Sequence, residues 1–79
     1  MSRLDSLSVP VQSSLLASVN YQPEESVLDL EFREGGITYR YFHVPGEIYT
    51  SLLAAESKGS WFNSHIRNRF PYRRLSSTL

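Results

Sequence analysis

Leu28-Asp29-Leu30-Glu31-Phe32-Arg33-Glu34-Gly35-Gly36-Ile37-Thr38-Tyr39-Arg40-Tyr41 is the stretch whose reading decides the fold. Leu28, Leu30 and Phe32 alternate with Asp29, Glu31 and Arg33. A period of two is the pleat of a strand with one apolar and one wet face. Gly35-Gly36 breaks the pattern, and glycine accepts the positive φ that primed hairpin turns require. The stretch therefore reads as a β-hairpin whose second arm runs from Ile37 to about His43. With Gly35 and Gly36 as the loop, Glu34 faces Ile37, Phe32 faces Tyr39, Leu30 faces Tyr41 and Glu31 faces Arg40. Apolar residues then meet apolar ones and opposite charges meet. A one-residue slip would set Arg33 against Tyr39 and spoil the match.

Working outward toward the N-terminus, Gln22-Pro23-Glu24-Glu25 is a turn, with Pro23 fixing its own φ. Before it, Leu15, Ala17, Val19 and Tyr21 alternate with Leu16, Ser18 and Asn20 as a further strand. Pairing Tyr21 with Ser26 sets Val19 on Leu28, Ala17 on Leu30 and Leu15 on Phe32, so both hairpins share one apolar face. Alternating aromatics such as Tyr39-Arg40-Tyr41 can stack bases when a strand exposes them, but this register turns Tyr39 and Tyr41 toward the apolar face as core rings. The other face carries Asp29, Glu31, Arg33, Thr38 and Arg40, a mixed charge that makes a poor platform for a phosphate backbone, which demands a cationic surface.

Toward the C-terminus, Pro45 suits the first turn of a helix, where its missing N–H costs nothing. Ile48, Leu52 and Ala55, flanked by Tyr49 and Leu53, form an apolar stripe at helical spacing. Gly59 reads as the residue that closes this helix and Ser60 as the cap of a second, from about Trp61 to Arg69. Phe62 and Ile66 share one face of that second helix. Pro71 stops it, and the residue before proline is driven out of the α region. The expected architecture is α+β: a three-stranded antiparallel β-meander followed by two helices packed on one sheet face, βββαα. Residues 1–12 read as a flexible arm, 13–75 as the single domain and 76–79 as a tail.

Seventy-nine residues make one small domain with a thin core, and ten aromatic rings suit it. Cysteine is absent, so neither disulfides nor a thiolate zinc site contributes. The absence fits a reducing cytoplasm. No signal-like apolar run opens the chain, and no stretch is long enough to span a bilayer.

Chemistry has little to work with. His43 and His65 are the two histidines, and no nucleophile motif surrounds Ser13 or Ser14. His43 reads as a strand end and His65 as a surface residue of the second helix. Gly35-Gly36 has no helix behind it and cannot form a phosphate cradle at a helix terminus. The expectation is a non-catalytic module without a metal or cofactor.

Charge is the exception. The net charge is zero, yet all eight acids lie in residues 1–57, and Lys58, Arg67, Arg69, Arg73 and Arg74 fall in an acid-free end. There the arginines are interleaved with Trp61, Phe62, Phe70 and Tyr72. Arginine contacts phosphate and tyrosine stacks bases, so Lys58, Arg67, Arg69, Tyr72, Arg73 and Arg74 form a candidate nucleic-acid surface. The bland alternative is that the rings pack the core and the arginines are solvated, with Arg67 pairing with Glu31 or Glu34.

From Ser13 to Leu75 the chain resembles the KTSC domain, found at the C-terminus of some lysyl-tRNA synthetases and as small bacterial or phage proteins. The resemblance is carried by Ser13-Ser14, the segment from Gly36 to Tyr41, and Val44-Pro45. It continues through Tyr49, Leu53, Ala55, Ser57-Lys58-Gly59, Phe62-Asn63, Ile66-Arg67 and Phe70-Pro71-Tyr72. Trp61 and Phe70 stand where tyrosine is expected. The resemblance implies an RNA partner, tRNA or another RNA, and carries no catalytic residue. The alternative is a protein-interaction module docking through an apolar rim near Trp61 and Tyr49. Salt separates the two, because phosphate contacts weaken steeply with salt and apolar interfaces do not.

Overall fold

The computed structural model describes residues 8–75. A five-stranded antiparallel sheet runs in chain order: β1 (Val9–Pro10), β2 (Leu16–Gln22), β3 (Val27–Phe32), β4 (Thr38–Tyr41) and β5 (Tyr72–Arg74). Two helices, α1 (Gly46–Ala54) and α2 (Lys58–His65), lie between β4 and β5 in sequence. The α+β class and the antiparallel meander stand. The βββαα order is corrected, because short strands precede and follow that core. Val9–Pro10, expected as loose arm, pairs with Val19 and Ser18. The rest of the expected arm up to residue 7 and the expected tail at 76–79 lie outside the described residues.

Both hairpins keep the expected faces but shift register by two residues. The β3–β4 loop is not Gly35-Gly36 alone. The Phe32 N–H donates to the Ile37 carbonyl at 2.8 Å, leaving Arg33–Gly36 as the connection. Glu34–Gly36 turns as 3-10 helix, with φ of 79° at Gly35 and 61° at Gly36. Leu30 thus faces Tyr39, Leu28 faces Tyr41, and Arg40 faces Asp29 rather than Glu31. At the β2–β3 turn, Ser26 takes a left-handed φ of 56°, so Gln22 faces Val27 and Val19 faces Leu30. A shift of two leaves every side chain on its own side, which is why the face assignment survives.

An irregularity between Leu16 and Ser18 reverses one assignment. A bulge adds a residue to one strand, so alternation changes phase across it. Leu16, expected on the polar face, is fully buried opposite Phe32, and Leu15 is only half-buried. Arg33, expected on the open face, lies past β3. Its guanidinium instead donates to the Ser13 carbonyl at 2.6 Å and the Val11 carbonyl at 3.2 Å, tying the first segment to the hairpin.

The helices are also capped differently. Pro45 is the N-cap of α1, and Ser57, not Ser60, caps α2, its Oγ accepting from the Ser60 N–H at 3.3 Å. Gly59 sits inside the first turn of α2. A Cβ there would lie 3.2 Å from Leu15 Cβ, so the glycine lets the helix start approach the β2 entry. The core between sheet and helices gathers Leu16, Val19, Leu28, Leu30, Tyr41, Val44, Leu52, Phe62 and Ile66.

Candidate nucleic-acid interface

β5 completes the site. Tyr72 pairs with Tyr41 and Arg74 with Tyr39, so alternation sets Tyr72 and Arg74 on the helix-side face of the sheet. Five rings then close a circuit. Tyr72 meets Tyr39 edge-on at 5.5 Å, Tyr39 meets Phe32 at 5.6 Å, and Phe32 meets Phe62 at 5.4 Å. Phe62 meets Tyr41 at 5.9 Å, and Tyr41 returns to Tyr72 at 5.5 Å. Edge-to-face geometry is the arrangement that ring quadrupoles favour.

These rings, with Leu15, line a cleft of about 400 Å³ whose polar rim is Asn63, Arg67 and Asn68 from the end of α2. The Arg67 guanidinium donates to Asn63 Oδ1 at 3.3 Å, one helical turn away. Asn68 holds a φ of 63° just after the helix, a conformation asparagine tolerates. No acid among the described residues lines this cleft. The groove continues past Leu15, Phe32 and Tyr39 toward the hairpin tip, where Glu34 and Gly35 border it. Tyr41 is 5% exposed, and burial pushes its hydroxyl up to about 12, with Tyr72 and Tyr39 adding to the rise and Arg67 opposing it. It remains a neutral donor at physiological pH.

The six candidate residues divide. Tyr72 is 58% exposed and walls the cleft; Arg67 stands on its rim with Asn63 rather than Glu31 or Glu34. Glu31 instead accepts from the Ser18 hydroxyl at 2.8 Å. Arg74 shares the cleft-side face of β5, and Arg69 is exposed in the turn after α2. Arg73 lies on the opposite face, beside Arg40. Lys58 is occupied elsewhere: its ammonium donates to the Ala55 carbonyl at 2.9 Å, just past the end of α1. It starts α2 and Arg67 follows its end, about 13 Å apart along the axis. Asn63 and Asn68 lie within the C-terminal segment expected as the binding surface, whereas Phe32, Tyr39 and Tyr41 belong to the cleft although sequence reasoning set them in the core. The signal was Tyr39-Arg40-Tyr41, but only the pairing of β4 with β5 brings Tyr72 to it.

The remaining chemistry is sparse. Among the described residues no cluster of three or more His, Cys, Asp or Glu is placed to hold a metal, and no helix is long and apolar enough to cross a membrane. His43, expected to end a strand, follows β4 with a φ of 61°. His65 stacks on Trp61 with ring centroids 4.2 Å apart.

The KTSC domain family model matches residues 12–70, three quarters of the chain. The chain belongs to the KTSC family. A KTSC domain protein from Yersinia pestis, known by crystal structure, superimposes with a TM-score of 0.84 at 36% identity, covering 87% of this chain and 96% of that one. A protein of Tsukamurella paurometabola is 46% identical over 61 residues, which are 77% of this KTSC chain and 90% of that protein. A lysine–tRNA ligase of Nostoc sp. is 38% identical over 65 residues, 82% of this chain but 11% of the ligase. KTSC sequence thus occurs both as small proteins and within lysine–tRNA ligases.

Proposed function

We propose that this KTSC domain is a non-catalytic accessory module of the cytoplasm that binds RNA along the β5 edge. The observation that supports the reading is the meeting of exposed Tyr72 and Arg67 at an acid-free aromatic cleft, with Arg74 on the same side of β5. Arginine supplies phosphate contacts and tyrosine a stacking face, the combination that single-stranded nucleic acid requires. β5 is an edge strand, so a nucleic-acid strand running along it reaches Arg74 on one side and Arg73 on the other. The open sheet face is a poorer platform, because Asp29 grips Arg40 through two bonds of 2.8 and 2.9 Å. The lysine–tRNA ligases that carry a similar segment act on an RNA by their name, which agrees with this reading.

The protein-docking alternative has less surface to use. Tyr49 stacks on Tyr21 at 5.1 Å and Trp61 on His65, and both are half-buried. A titration of mixed-sequence RNA at low and moderate salt tests the proposal, comparing the intact chain with Arg69→Ala/Arg73→Ala/Arg74→Ala. Binding at low salt is expected, and every arginine that holds a phosphate should, when replaced, flatten the log–log salt slope by about 0.7. No binding at low salt, or equal binding by the triple variant, would favour the protein-docking reading.

A further inference from the structure

We propose that the five-ring cleft holds one unstacked base of the RNA, with Arg67 on the adjoining phosphate and the Asn63 and Asn68 amides at the base edge. The inference rests on the RNA-binding reading and names the subsite that would give it base contact.

The first supporting feature is size and lining. The cleft, at about 400 Å³, lies in the range of small-ligand sites, so it admits a single planar ring and not a duplex. Its walls are π-faces and edges, which any base can stack against. The second feature is polar. Tyr41 is buried within the ring circuit at 5% exposure, yet its hydroxyl has no hydrogen-bond partner among the described residues. Tyr41 is itself a wall of the cleft, and the groups whose charge its hydroxyl feels, Tyr72, Tyr39 and Arg67, are the other walls and the rim, so a donor is available there. A base edge inside the cleft offers that donor an acceptor. Asn63 and Asn68 each add an amide that both donates and accepts. The third feature is charge. Arg67 marks one end of the groove and Glu34 the other, so a phosphate is attracted at the α2 end and repelled at the hairpin end. A strand therefore inserts a base and keeps its backbone outside, along Arg67 and β5.

The test measures the intact chain against mixed-sequence octaribonucleotides and against an abasic ribose-phosphate chain of the same length. Asn63→Trp, on the exposed side of α2, plugs the mouth; Tyr72→Ala, at an exposed position, removes one wall. Melting temperature verifies that each variant is folded. The wild-type chain should prefer the base-bearing strand by about 5- to 150-fold, the range of one stacked base. Both variants should lose most of that preference while keeping the salt slope. Equal affinity for the abasic chain, or preference retained in both folded variants, would overturn the cleft while leaving RNA binding intact. If no oligonucleotide binds, the RNA reading fails, and adenosine and uridine titrated into ¹⁵N-labelled protein decide the cleft alone. Shifts of the Asn63 and Asn68 side-chain amides would support it as a nucleoside site. Silence from both, or shifts caused instead by a polyproline peptide, which also docks in aromatic grooves, would overturn it.

Discussion

Phe62 stands where the core and the cleft share a wall. It is 4% exposed and meets Phe32 and Tyr41 edge-on from α2. Truncating a buried phenylalanine leaves a cavity and forfeits its transfer energy, so Phe62→Ala should cost about 3–5 kcal/mol. Domains of this class hold about 5–15 kcal/mol in total, so thermal denaturation should show a much lowered midpoint or no cooperative transition. A melting curve close to wild type would mean that α2 is not docked as described. Tyr41 makes a second demand. Its hydroxyl is held up to about 12 from the ordinary 10, mainly by burial. The folded state therefore keeps its proton where the unfolded chain has begun to lose it. The resulting stability is fully present below pH 10 and is lost between about pH 10 and 12. The stability measured by denaturation across that window should fall more steeply for wild type than for Tyr41→Phe. Parallel curves would show that the hydroxyl is not buried in the ring circuit.

Elements show where sequence reading succeeds and where it stops. Alternation over Leu28 to Phe32 and Tyr39 to Tyr41 is a period-two signal, and it placed the right side chains inward. Register depends on where a turn sits and how long it is: the β3–β4 loop takes in Arg33 and Glu34, and the β2–β3 turn, still four residues, moves one place along to include Ser26, neither of which composition reveals. The bulge after Leu16 was illegible for the same reason: Leu15 and Leu16 are equally apolar, and only pairing decides which turns in. Three-residue β5 has no period to read, so the wall that Tyr72 adds to the cleft was hidden even though Tyr72 and its arginines were singled out. At the α1–α2 junction, two serines competed as cap. Ser57 takes the role, its Oγ accepting from the Ser60 N–H, and Gly59 in the first turn leaves room for Leu15. Ser57→Ala should lower stability by about 1 kcal/mol, and Ser60→Ala by less, in chemical denaturation. A larger loss for Ser60→Ala would move the helix start back to Trp61.

The whole molecule is polar in its charge and sided in its rings. The acids lie before residue 58, and the cations after it are divided by the fold: Lys58 at the α1 end, Arg67 at the cleft, Arg73 and Arg74 astride the β5 edge. The described residues carry three ring groups on which a base could stack: the cleft around Tyr72, the Trp61–His65 stack on α2 and the Tyr21–Tyr49 stack. Only the first combines an exposed ring with an arginine and an acid-free lining. Photo-crosslinking of the intact chain to mixed-sequence RNA, read by mass spectrometry, tests RNA binding at this cleft most directly. Crosslinks are expected on Tyr72 and on the peptides carrying Tyr39 and Arg67. Crosslinks confined to Trp61 and His65 or to the open sheet face, or none at low salt, would contradict it.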